Sequence, residues 1–323
     1  MTLLRSPRNP ILTRADIPPV LPDFTDVTSV FNPGAIDDAG RTVLMLRVQS
    51  RGRRTALVTA ESDDGERFTV SPAPVVFRGI EKAGEKLHHL YDPRLTRIGD
   101  TFYVLFAADT ETGCKLGAAA STDLRTFDFI GLGSHPDIRN GVLFPEKMGG
   151  RFVRLDRPNR SALEGGVTSG DEIWLSTSDD LVEWKPERPV MGGRWHYWDE
   201  RIGSGPPPVK TRQGWLHLYH GIATHFASVS IYQVGAILLD LADPSKVLAR
   251  SWNNILEPRE PYELVGQVPN VVFPGGMVVE RFDEDGFALP ESPVQVYYGA
   301  ADTCVGLART TIADLLGACD GPA

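Results

Sequence analysis

Short apolar runs rich in Val, Leu, Tyr and Phe alternate along the chain with tight polar turns, and one such pattern recurs in order. The recurring runs are TVLMLRV (42–48), TFYVLFAA (101–108), RFVRLDR (151–157), WLHLYHG (215–221) and VQVYYGAA (294–301). Segments of this composition bounded by Gly and Asp read as β-strands. A second short run precedes each of them and ends in a turn, as in DPRLTRIGD and GVLFPEKMGG, so each pair predicts a hairpin at the innermost part of a repeating unit.

After three of these hairpins an apolar strand closes on a Ser/Asp turn and an aromatic: LVTAESDDGERF, GAAASTDLRTF and IWLSTSDDLVEW. Their serines, Ser62, Ser121 and Ser178, stand 59 and 57 residues apart. GAILLDLADP and GLARTTIADL occupy the same place in the fourth and fifth units. Five units in 323 residues leave about 65 residues each, enough for three or four strands. Small antiparallel sheets repeated radially make a β-propeller. The predicted fold is therefore all-β, a five-bladed β-propeller forming one domain over residues 1–323. A pair of β-sandwiches is the alternative, but it does not require hairpin, polar residue and Ser/Asp turn to recur in sequence. Helical composition is confined to TIADLLGAC (311–319), a short C-terminal helix, while 76–91 and 186–201 lack a period and read as long loops at one rim of a site.

Composition sharpens this picture. Gly 32 and Pro 25 make up about 18% of the chain, against roughly 12% in an average protein, as a turn-rich repeat requires. With 33 Lys+Arg against 42 Asp+Glu, the net charge of −9 argues against nucleic acid or a membrane surface as partner. Cys114, Cys304 and Cys319 are odd in number and lack metal-ligand spacing, which suggests neither a disulfide framework nor a zinc site. The N-terminus carries prolines at 7, 10, 18 and 19 and no apolar signal-peptide core. A reducing, cytoplasmic location is expected.

Polar residues at the ends of the recurring runs should converge on the propeller axis. Those residues are Arg47, Asp109, Arg157, His220 and Asp302, and all are ionisable. The turns and connections before them add Asn32, Asp92 with Arg94, Arg139 with Asn140, and Arg201. Such a cationic cluster inside an acidic chain suits an oxyanion or phosphate, because guanidinium forks match those oxygens two at a time, and an aspartate would handle a proton. Plainer roles stand beside these: Asp92 precedes a proline and could set a turn, Arg139 and Arg157 could pair between blades, and His220 could be a hydrogen-bonded core histidine. Trp174, Trp184 and Trp215 lie in strand patterns and read as core, whereas Trp195, Tyr197 and Trp198 lie in the RWHYWDE loop and suit stacking on a sugar ring. GxSxG, HExxH and GxxxxGK[ST] motifs are absent.

Several stretches resemble glycoside hydrolase family 130, the β-mannoside phosphorylases and related mannosidases. They are RNPIL (8–12), VFN (30–32), YDPRLT (91–96), RNGVLFP (139–145), DRP (156–158), IGSGPPPV (202–209), GWLHLYHG (214–221), VGAILLDLADP (234–244), VGQVPNVVFP (265–274) and VYYGAADT (296–303). The resemblance implies a five-bladed propeller with Asp92 as the single general acid, delivering its proton through a mannose hydroxyl in at least part of the family. It implies a phosphate site at Arg139, Arg157, Arg201, His220 and Tyr232, and sugar contacts at Asn32, Arg47, Arg53 and Asp302, next to which Arg94 and Asn140 stand as further candidates. Two positions depart from the pattern: Arg201 stands where Lys is frequent, and Pro33 where a small residue is frequent. The segment 161–172 after Arg157 matches no subgroup.

An inverting glycosidase needs a second carboxylate roughly 6.5–9.5 Å from the acid to activate water, whereas a phosphorylase needs a cationic pocket, which these residues supply. The expected activity is inverting phosphorolysis of β-mannosides of the mannobiose, mannooligosaccharide or mannosylglucose type, giving α-mannose 1-phosphate and a shortened sugar. Hydrolysis on the same scaffold, a non-catalytic carbohydrate-binding propeller and a three-carboxylate furanosidase are the alternatives. Phosphate would be a co-substrate, with no metal or organic cofactor, and the loop aromatics could equally serve a homo-oligomeric contact.

Overall fold

A computed structural model describes residues 3–135, 137–159, 170–224 and 230–322. Most of segment 161–172 therefore lies outside the described residues. The strands form five sheets. Leu87–Ile98, Thr101–Thr110, Gly113–Ser121 and Thr126–Leu132 follow one another across the second sheet, and the third runs likewise from Ile138–Leu143 through Phe152–Pro158 and Glu172–Ser178 to Lys185–Gly192. In the first sheet Val27–Val30 and Gly34–Asp38 both pair with Arg41–Ser50, and in the fourth Arg201–Ser204 and Val209–Thr211 both pair with Gly214–Ala223. The first strand of one blade packs against the first strand of the next: Gly34–Asp38 meets Leu87–Ile98, which meets Ile138–Leu143, which meets Arg201–Ser204, and Val272–Val279 returns to Gly34–Asp38. The sheets thus surround an axis as the blades of a five-bladed propeller.

The recurring apolar runs are the second strand of each blade, not the innermost. The segments before them take the axial position, because they carry the Pro, Gly and polar residues that a crowded channel accepts. The apolar second strands instead fill the spaces between blades. Leu105, Leu143 and Phe152 pack between the second and third blades, and Leu216, Val272 and Val296 between the fourth and fifth. Each such side chain removed from water contributes roughly 1.5–3 kcal/mol.

The Ser/Asp repeat is one hydrogen-bonded turn made three times. The Ser62 hydroxyl donates to Asp64 Oδ1 at 3.0 Å and accepts from the amides of Asp64 and Gly65; Ser121 with Asp123 and Ser178 with Asp180 make the same contacts. Each Asp in turn accepts two later amides, as Asp64 Oδ1 does from Glu66 and Arg67, and so closes the turn between third and fourth strands.

Two expected loops contain strands. Val76–Arg78 adds to the edge of the second blade and Leu87 already begins its first strand, while Lys185–Gly192 is the fourth strand of the third blade. Their lack of period reflects edge positions, exposed on both faces. The predicted C-terminal helix is Ile312–Ala318, capped by Thr311 Oγ1 accepting from the Asp314 amide. A further single turn, Pro261–Leu264, is set by Pro at its start and the reciprocal Glu260/Glu263 cap. Among the described residues no helix is long and apolar enough to cross a membrane.

The ring closes through its N-terminus. Leu4–Arg5 pairs with Cys304–Thr311 as the outer strand of the fifth blade. Arg5 grips the wholly buried Glu263 with both nitrogens, each at 2.8 Å, and Glu263 also accepts from Tyr298 Oη and the amides of Arg259 and Glu260. Arg5→Ala leaves that carboxylate buried beside a lost counter-charge and should cost about 3 kcal/mol of stability. Denaturant melts at neutral pH test this; a loss below about 0.5 kcal/mol, the size of an ordinary surface substitution, would show that the clasp does not close the ring.

Candidate active site at the propeller axis

In every blade the first strand is broken at the same depth. Val27–Val30 gives way to Gly34–Asp38, and Arg201–Ser204 to Val209–Thr211. Pairing slips between Tyr91 and Arg94, between Arg139 and Val142, and between Pro274 and Gly276. Such bulges turn a side chain out of the strand alternation and are favoured beside active sites. Asp92, Asn140 and Asp302 sit at these breaks or turns in the left-handed region, with φ of 51°, 52° and 51°. Asp and Asn adopt that backbone at least cost among residues with a side chain. Gly299 lets the first blade approach: a Cβ there would lie 2.7 Å from the Asn32 amide nitrogen.

The breaks direct their side chains into one cavity of about 220 Å³. Nine residues expected from the sequence line it: Asn32, Arg47, Asp92, Arg139, Asn140, Arg157, His220, Tyr232 and Asp302. Asn32 Nδ2 donates to Asp92 Oδ1 at 3.0 Å, which orients the carboxylate and leaves Oδ2 facing other groups. Nε of Arg47, Nε of Arg139 and Oδ1 of Asn140 are buried without a hydrogen-bond partner among the described residues. Groups in that state are costly unless a ligand or water meets them.

Charge is unevenly distributed around the cavity. Burial, reinforced by Arg157 and Arg94, holds the His220 imidazole far below its ordinary pKa, so it is neutral. Beyond the Ser204 backbone its ring nitrogens have no described protein partner. Its ring lies 4.4 Å from that of Phe273. Burial brings the Arg157 guanidinium down to about 10, still charged at neutral pH, and its Nη2 donates to Asn159 Oδ1 at 2.8 Å. Burial raises the Asp302 carboxyl to about 6, with Arg47 opposing and Asp92 adding to the rise.

An outer chamber of about 350 Å³ adjoins this cavity and shares Arg47, Tyr91, Arg139 and Asp302 with it. Arg53, His89, Asp109 and Gln267 belong to the outer chamber alone. Tyr91 forms the partition. Its hydroxyl donates to Asp109 Oδ1 at 2.7 Å, and its ring is flanked by the guanidinium carbons of Arg47 at 5.2 Å and Arg139 at 5.6 Å. Two expected residues stand elsewhere. Arg94 is wholly buried and lines neither chamber, and Arg201 is buried at the start of its strand without lining either. Asp92 is the bulge residue that breaks the strand alternation, so the next outward-turned side chain, Arg94, points away from the chamber.

The sequence reading did not select Tyr91 or Phe273, although both lie inside stretches it singled out, directly before Asp92 and within VVFP. The loop aromatics are placed differently from the sugar-stacking expectation: Trp198 stacks on Tyr219 at 5.7 Å, Tyr197 leans on Trp252 at 5.6 Å, and none of Trp195, Tyr197 and Trp198 lines either chamber. Trp184 and Trp215 are core, while Trp174 is half-buried with its Nε1 donating to Glu172.

A family profile described as beta-1,4-mannooligosaccharide phosphorylase matches residues 3–321. The chain belongs to glycoside hydrolase family 130. Among family members, the beta-1,4-mannooligosaccharide phosphorylase of Ruminococcus albus is 33% identical over 314 residues, covering 95% of this chain and 90% of that protein. The 1,2-beta-oligomannan phosphorylase of a Thermoanaerobacter species is 33% identical over 298 residues, covering 89% of this chain and 91% of its own. The solved beta-1,2-mannobiose phosphorylase of Listeria innocua, in complex with beta-1,2-mannobiose, superposes with a TM-score of 0.83 at 28% identity over 99% of both chains. The propeller fold is thus that of a family 130 member.

The raised Asp302 pKa has a measurable sign. Its folded value of about 6 exceeds the unfolded value near 3.9, so its destabilising effect is absent below pH about 4, grows to pH about 6 and then stays. Relative to wild type, Asp302→Asn should therefore gain about 2 kcal/mol of stability between pH 4 and pH 7. A difference that is flat across that range in parallel denaturant titrations would contradict the buried, proton-retaining carboxyl.

Proposed function

We propose that the protein cleaves β-mannosides by inverting phosphorolysis. A phosphate oxygen attacks the anomeric carbon of the terminal mannose as the glycosidic bond breaks on the opposite face. Asp92 supplies the proton that the departing sugar oxygen needs, directly or through a mannose hydroxyl. The products are α-mannose 1-phosphate and a sugar one residue shorter. The supporting observation is that Arg139, Arg157, His220 and Tyr232 line the same cavity as the acid candidate Asp92, so an anion and a proton donor can meet across one mannose ring.

In this reading the guanidinium groups of Arg139 and Arg157 hold phosphate oxygens and offset negative charge as the bond forms. Neutral His220 and Tyr232 add hydrogen bonds without repelling a monoprotonated phosphate. Asn32 fixes one oxygen of Asp92, leaving the other for the proton. Arg47, Asn140 and Asp302 meet the mannose hydroxyls, Asp302 as an acceptor once ionised. Arg53, in the outer chamber, meets the leaving sugar. Phosphate is the only co-substrate this mechanism calls for. Cys114, Cys304 and Cys319 are all unpaired, which fits the reducing cytoplasm where sugar phosphates are retained.

Incubation with mannobiose and with mannosylglucose, with and without phosphate, tests the reading. Mannose 1-phosphate should form only with phosphate present; free mannose released equally fast without it would make the enzyme a mannosidase. Asp92→Asn should lower kcat by about 10²–10⁴-fold with the fold intact by circular dichroism. Gly203→Ala is a second check: its Cβ would lie 2.4 Å from His220 Cε1 and 2.6 Å from Asn140 Oδ1, so the KM for phosphate should rise about tenfold or more.

A further inference from the structure

Two of the buried arginines are matched to a carboxylate. Arg154 Nε meets Asp156 at 2.8 Å and Arg250 Nη2 meets Asp199 at 2.6 Å. Arg94 has no such ion pair. It is wholly buried, its Nε donates to the Gly205 carbonyl at 2.8 Å and its Nη1 to the Pro93 carbonyl at 3.3 Å, and Nη2 has no partner among the described residues. No carboxylate among the described residues lies within ion-pair distance of it, and Asp92, two residues along the strand, is the carboxylate whose charge reaches it at longer range. A buried guanidinium without a counter-ion is expensive, and two carbonyls offset only part of that cost.

Its position indicates what balances it. The guanidinium carbon lies 5.5 Å from the Phe273 ring, which lies 4.4 Å from the His220 ring, and both rings line the inner cavity. Arg94 therefore stands one side chain behind the wall of the proposed phosphate compartment, two residues along the strand from Asp92. Among the lining side chains three arginines face two aspartates. Arg94 adds a further positive charge one side chain behind that lining.

We propose that Arg94 is an electrostatic positioning residue for phosphate: it touches neither substrate, and its buried charge, held without an ion-pair partner, draws the dianion into the inner cavity and holds it against Arg139 and Arg157. The inference rests on the phosphorolysis reading. Because low-dielectric protein separates the charge from solvent, its effect escapes most salt screening. A rim arginine would lose its influence as salt rises.

Two variants separate charge from scaffolding. Arg94→Gln removes the charge and keeps an amide donor for the Gly205 carbonyl; Arg94→Lys keeps the charge and loses the fork. Initial rates of phosphorolysis at varied phosphate and at varied mannobiose, at low and at high NaCl, give the two KM values and kcat. Expected for Arg94→Gln is a phosphate KM raised at least tenfold, with the mannobiose KM within threefold of wild type and the ratio to wild type unchanged by salt. Arg94→Lys should stay within threefold of the wild-type phosphate KM. An unchanged phosphate KM in Arg94→Gln, or equal damage to both KM values, would overturn the proposal, as would a tenfold rise in Arg94→Lys. If Arg94→Gln does not fold, the Arg94→Lys result alone decides by the same limits. Wild-type turnover that is independent of phosphate would instead overturn the phosphorolysis reading itself, and this inference with it.

Discussion

The site depends on a backbone constraint: each of the five axial strands must stop pairing part-way along its length. A continuous first strand would point alternate side chains up and down the channel and leave none aimed at a common centre. The slips at Tyr91–Arg94 and Arg139–Val142 rotate Asp92 and Asn140 inward, and their left-handed φ values are the local cost. That cost is met by packing between the blades, where Leu, Val and Phe of the second strands form a separate apolar cluster at each junction. Rigid, dry interfaces therefore hold a strained, polar centre.

Electrostatics follow from the same geometry. A chain with a net charge of −9 places arginines at its axis and carboxylates on its surface turns. Burial then works differently on each axial group. It keeps His220 neutral, raises Asp302 to about 6 and leaves Arg157 charged. Phosphate, the proposed nucleophile, would meet cations and neutral donors, while Asn32 orients Asp92, the proposed acid.

Much of this was legible in the residues. The five units, the Ser/Asp turns and the C-terminal helix follow from local pattern, because turn chemistry and strand composition act over a few residues. Nine of the twelve expected site residues line one cavity, because equivalent positions in a radial repeat meet at its axis whatever the blade details. Arg94 misled because a bulge reverses the alternation after Asp92, and bulges leave no clear trace in a sequence. Tyr91 and Phe273 were passed over because an aromatic ring has the same composition signal in a core as in a wall.

The order of strands within a blade also lay beyond local pattern. The apolar runs looked like the centre of each unit, yet in the folded protein the center is polar and the apolar runs lie between blades. By itself the sequence determined the repeat, the turns, the family and the kinds of side chain available for chemistry, since these depend on neighbours a few residues away. Only the tertiary structure decided which strand faces the axis, which arginines reach the cavity and which carboxyl has its pKa raised. Those outcomes depend on burial and on charges brought together from distant blades, and neither quantity exists until the ring has closed.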